Sequence, residues 1–386
     1  MSDGAAHGRY PRFSPDELHR RRSAVTRMLT EAELDAALVF GANRTGSAIQ
    51  WLTEWPVTRE ASLVLSPDLD DAMWVEFYNH LPNARRMATG TTVSWDGHDT
   101  TVPAAAELSR RGARRVGVIG PLGWRQHAVL AASFEIVSLD GAYVRERLIK
   151  SDEELEWMRH AARLSDGAIE AIRDAVSPGM TEAEIGAVCE SSYLHTGATN
   201  HIHYLGLTSM DAPNQCVPSQ WPTDRVVEIG DVLTCEISAS WWGYAGQVLR
   251  TIAIGADPSP LYRDLHDVAD AAFDAICGVL RPGASPEQVI KAAAVIEDAG
   301  YTIYDDLVHG YGGGYFPPIL GSSSRANAPL PDMTFEEGMT VVVQPNVITT
   351  DERAGVQTGG LVAITCDGVE QLQRAPRGLW RTSGGV

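Results

Sequence analysis

Hydrophobic and polar positions along the first third of the chain alternate as they do in small α/β domains. Short apolar runs that predict strands are separated by helix-like stretches, and the clearest runs are Ala36–Phe40, Ala61–Leu65 and Arg115–Ile119. Near residue 145 this alternation ends and a long helix is predicted to begin. We therefore expect an α/β N-terminal domain over residues 1–145 and a second domain over residues 146–386.

The second domain opens with a helix whose start is marked in the sequence. Ser151 is placed as the N-cap, and Glu154, three residues later, completes a capping box. Pro178-Gly179 is expected to end this helix. Between them, apolar residues recur at the spacing that gives one hydrophobic face: Leu155, Met158, Ala162, Ile169, Ile172 and Val176.

The second domain also repeats itself weakly. Val176–Ile185 is echoed roughly one hundred residues later by Leu280–Val289, and each segment has a Pro-Gly turn followed by an N-cap. Two strands that begin with glycine, and that carry Glu236 and Gln344 six residues on, recur with similar spacing. A pseudo-twofold domain would bring Glu236 and Gln344 together in one central cleft. The alternative is a chance similarity of two capped helices.

Composition limits the class of function. The chain has 386 residues, of which 31 are Lys or Arg and 50 are Asp or Glu, and its formal net charge is -19. Such a surface repels polyanions, so nucleic acid is not expected as a partner. The five cysteines are widely spaced without a CxxC pair, which favours a reducing cytoplasm. No apolar run suits a signal peptide or a membrane span, and we expect no membrane partner.

Several short motifs then resemble, in order, the landmarks of the creatinase and Xaa-Pro aminopeptidase superfamily (M24-type, pita-bread). These motifs are Lys150–Glu156, the two Pro-Gly helix starts, Gly230-Asp231, Arg250-Thr251, Val308–Gly312, Gly338-Met339, Gln344-Pro345 and Gly355-Val356. The resemblance implies an α+β pita-bread C-terminal domain with an internal pseudo-twofold repeat. It also implies homodimers, in which the N-terminal domain of one subunit lies near the active site of the other.

Metallopeptidases of this superfamily bind two divalent ions through two Asp, one His and two Glu. The resemblance places these five ligands, in order, at Glu236, Gln247, His309, Gln344 and Gly359. An amide is a poor substitute for a carboxylate, and glycine has no side chain to coordinate an ion. We therefore expect a divergent member that lacks most metal ligands, binds no metal and needs no cofactor.

Four residues are candidates for catalysis. Glu236 is the first choice of general acid or base, because a buried carboxyl without a counter-charge should have a raised pKa. His309 retains a ligand position within a glycine-rich loop. His201 and His203 alternate along a strand, so both should point to the same face, either as proton carriers or as hydrogen-bonded structural histidines.

Binding residues are predicted on the same resemblance. Ser219 stands where creatinase has its catalytic His, which makes creatine a poor substrate. Arg59 is similar in placement to a creatinase Arg that crosses the dimer interface, although an ordinary surface Arg is an equal alternative. Arg353 is a second candidate anchor for an anion, and Tyr315 supplies an aromatic wall. Gln247 and Gln344 complete the predicted substrate-binding set.

Three functions follow from these residues. The first is a metal-independent, creatinase-like hydrolase or lyase that cleaves a C–N bond of a small carboxylate-bearing amide, amidine or cyclic molecule. The second is a metal-dependent peptidase that resembles Xaa-Pro aminopeptidase or prolidase. The third is a pita-bread protein that binds a partner without catalysis. Retention of Glu236 and His309 without the other ligands favours the first.

Overall fold

The computed structural model describes residues 10–42 and 47–382, and the chain forms two compact units that meet in sequence between Arg147 and Leu148. The N-terminal unit is α/β and the C-terminal unit is built on a large curved sheet. No helix within the described ranges is both long and apolar enough to cross a membrane.

The N-terminal unit has a six-stranded sheet in the order β4-β3-β2-β1-β5-β6, in which β1 pairs antiparallel with β2 and parallel with β5. Its strands are β1 (Ala36–Ala42), β2 (Glu60–Ser66), β3 (Leu69–Val75), β4 (Thr91–Ser94), β5 (Arg115–Ile119) and β6 (Glu135–Ser138). Its helices are α1 (Pro15–Glu31), α2 (Ala48–Thr53), α3 (Leu81–Met87), α4 (Thr101–Arg110), α5 (Trp124–Ala131) and α6 (Asp140–Leu148), with one 3₁₀ turn at Tyr78–His80.

The apolar runs of this unit become strands because they can be buried on both sides of the sheet. Leu38, Val64 and Val116 pack with Ala104 and Leu108 of α4 in one hydrophobic cluster. The three strands predicted from the sequence correspond to β1, β2 and β5.

The C-terminal unit contains five helices and eleven strands among the described residues. The helices are α7 (Asp152–Ala175), α8 (Glu182–Leu194), α9 (Pro260–Val279), α10 (Pro286–Ala292) and α11 (Val295–Asp298). The strands are β7 (Thr199–Ser209), β8 (Asp231–Trp241), β9 (Tyr244–Ala253), β10 (Thr302–Ile303), β11 (Val308–Tyr311), β12 (Tyr315–Leu320), β13 (Thr340–Val343), β14 (Val347–Ile348), β15 (Gly359–Thr365), β16 (Gly368–Gln371) and β17 (Trp380–Arg381).

Three of these helices start as their sequences predict. Ser151 caps α7 and Thr181 caps α8, and in each the acid three residues later closes a capping box. Ser285 caps α10 in the same way, with Gln288 in place of the acid. Each box satisfies backbone N–H groups that the first turn of a helix otherwise leaves without partners.

The sheet of the C-terminal unit has the predicted internal symmetry. Its main strands run in the order β12-β11-β13-β15-β9-β8-β7, so that β15 and β9 lie together at the centre, and β13 and β8 flank them. The pita-bread fold expected from the sequence is confirmed. The centre is joined by a short ladder, in which Gly359 pairs with Leu249 and Gly360 with Val248.

Helices cover one face of this sheet. Cys235 and Ile237 of β8 belong to a hydrophobic cluster with residues of α7 and α8, and Val343 of β13 belongs to a cluster with residues of α9. Because side chains alternate along a strand, Glu236 and Ser238 point to the other face. The candidate site lies on that face.

Candidate active site

Glu236 lies at the centre of the polar face of β8 and is 4% exposed. Its Oε1 accepts a hydrogen bond of 2.6 Å from Nε2 of Gln247 on β9, and the same Nε2 lies 3.1 Å from Oε1 of Gln344, which follows β13. The structure thus brings together three of the predicted site residues, from β8, from β9 at the centre of the sheet and from the end of β13.

Two further acids belong to this group and were not among the predicted residues. Asp305 and Asp306 lie between β10 and β11, and Nε2 of Gln344 donates to Oδ2 of Asp305 at 3.3 Å and to Oδ1 of Asp306 at 3.4 Å. The sequence carries a signal for them, because two consecutive acids lie one residue before the buried strand that holds His309. We refer to Glu236, Asp305 and Asp306 as the acidic cluster.

The electrostatics of the acidic cluster are unusual for carboxyl groups. Burial, followed by the charges of Asp305 and Asp306, raises the pKa of Glu236 to about 8, although hydrogen bonds from Tyr315 and Gln247 oppose the rise. Burial and the neighbouring Asp306 raise the pKa of Asp305 to about 7. Near neutral pH Glu236 is therefore mostly protonated and Asp305 is present in both its protonated and ionised forms, so these carboxyls are suited to proton transfer.

His309 on β11 is fully buried beside the acidic cluster. Its Nδ1 donates to the carbonyl oxygen of Gly310 at 3.2 Å, and its ring packs against that of Tyr315, with the centroids 4.3 Å apart and the planes tilted by 31°. Burial lowers the pKa of His309 to about 4, so the imidazole is neutral near pH 7. The side chain of Gln344 approaches the ring, yet Nε2 has no hydrogen-bond partner of good geometry among the described residues.

The prediction that His201 and His203 point to one face is wrong. A β-bulge between Asn200 and Ile202 interrupts the alternation of β7. The ring of His201 lies 6.0 Å from that of Tyr311, whose hydroxyl donates to Ser238 on the polar face. His203 instead lies against α8, where its Nδ1 is 2.8 Å from Oε1 of Glu190. His203 is thereby separated from Glu236 by the sheet.

Of the other predicted binding residues in this unit, one lies in the site and two do not contact the group around Glu236. Tyr315 lies in the site, half exposed, with His309 and Glu236 as neighbours. Ser219 pairs through its backbone with Leu205 and accepts a hydrogen bond from Gln215. The exposed Arg353 donates to the carbonyl oxygen of Pro213. Neither Ser219 nor Arg353 is hydrogen-bonded to the group around Glu236 in the described ranges.

Arg59 belongs to the N-terminal unit, where its side chain makes only long contacts with its neighbours. Its Nε lies 3.7 Å from Glu76, its guanidinium lies 5.6 Å from the ring centroid of Phe77, and half of the side chain is exposed. A surface pair of this kind contributes little to stability. The proposed contact of Arg59 with a substrate remains a prediction.

The residues at the five ligand positions do not fit a cage for two divalent ions. Gln247 and Gln344 direct N–H groups, not oxygens, at the neighbouring carboxylates. Gly359 has a φ of 137°, and a Cβ placed on it would lie 2.1 Å from the carbonyl oxygen of Val343, so no side chain fits there. Among the described residues, no group of three His, Cys, Asp or Glu is arranged to hold a metal ion.

Comparison with known proteins decides the family. The model of metallopeptidase family M24 matches residues 156–366, which is more than half of the chain. The chain belongs to metallopeptidase family M24. The M24 superfamily membership expected from the sequence motifs is confirmed.

Relatives of this M24 protein carry peptidase names. It is 26% identical over 324 residues to the uncharacterized peptidase YqhT of Bacillus subtilis, covering 80% of this chain and 87% of that protein. It is 24% identical over 246 residues to the Xaa-Pro dipeptidase of Pyrococcus furiosus, covering 64% of this chain and 68% of that one.

Solved structures agree on the fold. An Xaa-Pro dipeptidase from Bacillus anthracis matches with a TM-score of 0.81 and 20% identity, over 94% of this chain and 99% of that chain. The dipeptidase PepE from Mycobacterium ulcerans matches with a TM-score of 0.79 and 21% identity, over 96% of this chain and 100% of that chain.

These findings correct the functional prediction. The metal-independent, creatinase-like hydrolase of small amides or amidines was the leading hypothesis, and it is wrong because the similar proteins are named Xaa-Pro dipeptidases and dipeptidases. The peptidase that stood as the alternative is the better supported function.

Proposed function

We propose that this M24 protein is a peptidase that hydrolyses dipeptides, including Xaa-Pro dipeptides, and that Glu236 transfers the proton in the reaction. The names of its relatives support the substrate class. The observation that carries the residue assignment is the position of Glu236: a buried carboxyl with a pKa of about 8, open on its polar side to two half-buried acids.

Peptide hydrolysis requires a group that first accepts a proton and then donates it, and Glu236 can do both. Water attacks the carbonyl carbon of the peptide bond and gives a proton to the Glu236 carboxylate, which the raised pKa makes a stronger base than an exposed Glu. The tetrahedral intermediate then breaks its C–N bond, and protonated Glu236 returns the proton to the leaving nitrogen. One carboxyl thus serves as base and then as acid.

Donors for the developing negative charge are present beside Glu236. The hydroxyl of Tyr315 donates to the Glu236 carboxyl, and Nε2 of Gln344 donates to Asp305 and Asp306 of the acidic cluster. Each of these groups can donate a hydrogen bond to an oxyanion. His309, which is neutral and hydrogen-bonded to Gly310, packs its ring against that of Tyr315. In this proposal Tyr315 and Gln344 contact the substrate, and His309 positions Tyr315.

The test is hydrolysis of a dipeptide panel with Pro or Ala in the second position, with and without added Mn²⁺. Glu236→Gln keeps the shape of the side chain, and we expect kcat to fall at least a hundredfold, the range for loss of a general acid–base group. Glu190→Gln is the matched control on the helix-covered side and should keep full activity. Full activity of Glu236→Gln, or no cleavage of any dipeptide by the parent protein, would refute the proposal.

A further inference from the structure

The two halves of the C-terminal sheet meet along a short line of contact between β9 and β15, which we call the seam. Its backbone ladder consists of two residue pairs, Gly359 with Leu249 and Gly360 with Val248. By contrast, β8 and β9 pair along nearly their full length. Backbone N–H and carbonyl groups on either side of the two seam pairs therefore need other hydrogen-bond partners.

At one end of the seam, a side-chain amide stands between the two strands. Oε1 of Gln373 accepts the backbone N–H of Leu361 on β15 at 2.7 Å, and Nε2 of Gln373 donates to the carbonyl oxygen of Gln247 on β9 at 2.7 Å. Leu361 and Gln247 are the pair that comes next in the register of the ladder. The amide of Gln373, which has both a donor and an acceptor, thus replaces a direct backbone hydrogen bond across the seam.

The hairpin of β15 and β16 brings this amide to the seam. Just after β16, the backbone N–H of Leu372 donates to the carbonyl oxygen of Leu361 at 3.0 Å, so that the next residue is Gln373. Gly360 leaves the necessary space, because a Cβ there would lie 2.7 Å from Oε1 of Gln373. Since the φ of Gly360 is not in the left-handed region, the glycine serves this close approach and not the backbone conformation.

At the other end of the seam, a hydroxyl bridges the strands. Oγ1 of Thr251 donates to the carbonyl oxygen of Gln357 at 2.9 Å and accepts the N–H of the same residue at 2.7 Å. Within the described part of the chain, neither side chain is hydrogen-bonded to Glu236 or Gln344. The two ends of the seam are therefore alike in construction, but Thr251 has no hydrogen-bonded route to the candidate site.

Gln247 is the residue through which the seam reaches Glu236. Nε2 of Gln247 donates to Glu236 at 2.6 Å and lies 3.1 Å from Oε1 of Gln344. Glu236 lies on β8 and Gln344 follows β13, so these two partners of Gln247 are on opposite sides of the seam. Because hydrogen bonds weaken with distance and misalignment, the place of the Gln247 backbone decides whether its amide can bond both.

We propose that Gln373 is a positioning residue: its amide holds the backbone of Gln247 across the seam, so that the side chain of Gln247 stays hydrogen-bonded to Glu236. Gln373 acts through Gln247 and is not itself hydrogen-bonded to Glu236 in the described ranges. The inference rests on the proposed role of Glu236 in the peptidase and adds a residue that fixes one of its hydrogen-bond donors.

Loss of the Gln373 amide should change the titration of Glu236 in one direction. The hydrogen bond from Gln247 favours the ionised carboxylate and opposes the rise in the pKa of Glu236 that burial causes. If Gln247 is no longer held, that pKa should rise further. Gln373 is uncharged, so its replacement by Met leaves unchanged the titratable groups that face Glu236 from the neighbouring strands and loops: Asp305, Asp306, Tyr204, Tyr311 and Tyr315.

The test variant is Gln373→Met, which removes the amide and keeps the length of the side chain. Infrared spectra from pH 6 to pH 10, taken as the difference between each protein and the same protein with Glu236→Gln, follow the protonated carboxyl of Glu236. We expect the midpoint to rise by at least about 0.5 pH unit, and kcat/KM for a dipeptide at pH 7 to fall about threefold because less of Glu236 is ionised. At pH 9.5, kcat/KM should return to within about twofold of the parent value, which mere destabilisation does not produce.

Thr251→Val is the matched control at the other end of the seam. Like Gln373→Met, it leaves one backbone N–H and one carbonyl oxygen without their side-chain partner, and it should move the midpoint by less than about 0.2 pH unit. Gly360→Ala reaches Gln373 by a second route, since its Cβ displaces Oε1 of Gln373, and should raise the midpoint as Gln373→Met does. Its clash is with the end of a flexible side chain, so Gly360→Ala decides if thermal melting shows that Gln373→Met is unfolded.

Two results would overturn the positioning role. The first is a midpoint that rises by less than about 0.5 pH unit, or falls, in folded Gln373→Met or Gly360→Ala. The second is an equal rise in Thr251→Val, because any weakening of the seam would then act on Glu236.

Failure of the positioning role and failure of the peptidase function give different results, since the infrared titration needs no turnover. If the midpoint rises as expected while the parent protein cleaves no dipeptide, Gln373 positions Gln247 and the peptidase function is wrong. If dipeptides are cleaved and the midpoint does not rise, the positioning role is wrong and the peptidase function stands.

Discussion

The acids of the N-terminal unit and those of the candidate site are the same residue types in opposite surroundings. In the N-terminal unit, Glu107 accepts hydrogen bonds from Arg110 and Arg111, and the pKa of its carboxyl is lowered to about 2. In the site, Glu236 has amide and carboxyl neighbours, and burial raises its pKa to about 8. The neighbouring groups, not the residue type, decide whether the carboxyl stays charged.

Acids with arginine partners stabilise the fold, and acids without them do not. An acid beside arginines is charged in the native state and contributes to stability at neutral pH. The acidic cluster lacks such partners, and its buried carboxyls lower the stability of the folded state when they ionise. Glu17 is another acid with arginine partners, because it accepts hydrogen bonds from Arg20 and from the buried Arg21 on α1.

The sharpest test of this comparison is the pH dependence of catalysis. As the base, Glu236 must be deprotonated, so kcat/KM should rise with pH up to about 8 and then level off. We expect a decrease of about fifty-fold from pH 8 to pH 6, because about one carboxyl in a hundred is ionised two units below its pKa. Rates on one dipeptide across this range provide the measurement.

The charges of the acidic cluster should set the midpoint of this pH profile of kcat/KM. Asp305→Asn with Asp306→Asn removes two charges that raise the pKa of Glu236, so the midpoint should shift to lower pH. Substitution of the exposed Asp298 and Asp332 should leave it in place. A rate that is flat between pH 6 and pH 8 would contradict the role of Glu236.

A second test concerns the backbone under the site. Gly359 and Gly314 have similar φ angles of 137° and 139°, but a Cβ at Gly314 meets no atom within 4 Å. Gly314→Ala should cost about 1–2 kcal/mol of backbone strain, whereas Gly359→Ala adds a clash with Val343 and should cost at least about 2 kcal/mol more. Urea unfolding of both variants measures the difference, and equal costs would show that the site can accept a side chain there.

The smallest expected effect compares the two kinds of acid directly. Because the pKa of Glu107 is lowered in the folded state, its contribution to stability is present above about pH 4.5 and is lost as pH falls towards about 2. Glu107→Gln should therefore cost about 0.5–1 kcal/mol at pH 7. That cost should shrink on acidification, as followed by urea unfolding from pH 7 to pH 3.

Glu236→Gln is the counterpart with the opposite sign. The raised pKa of Glu236 means that its contribution is present below about pH 4.5 and is lost as pH rises through about 8. The Gln variant should accordingly gain stability relative to the parent protein as the pH increases to 9. If both substitutions respond to pH in the same direction, the contrast between the two regions does not hold.

Much of the fold was accessible from the sequence because local signals agreed with one another. The capping boxes at Ser151, Thr181 and Ser285 fix the starts of three helices through contacts between residues three apart. The repeat of these helix starts, followed each time by a strand that begins with glycine, predicted the symmetric sheet.

The site was less predictable because its details depend on distant contacts. The bulge that separates His201 from His203 arises from the register of β7 against β8, which alternation within β7 does not reveal. Asp305 and Asp306 belong to none of the motifs that were compared, and only folding brings them to Gln344. The functional hypothesis went wrong where missing ligand types were taken as the signature of a different reaction.

The symmetry of the sheet has a consequence for the direction in which a ligand lies. The two flanking strands occupy equivalent positions, yet one carries the acid Glu236 and the other leads into the amide Gln344. If the two halves of the sheet were identical, a ligand lying across its polar face could bind in either of two orientations. Here the halves have diverged, so the two ends of a ligand that lies across the sheet would meet a carboxyl group on one side and an amide on the other.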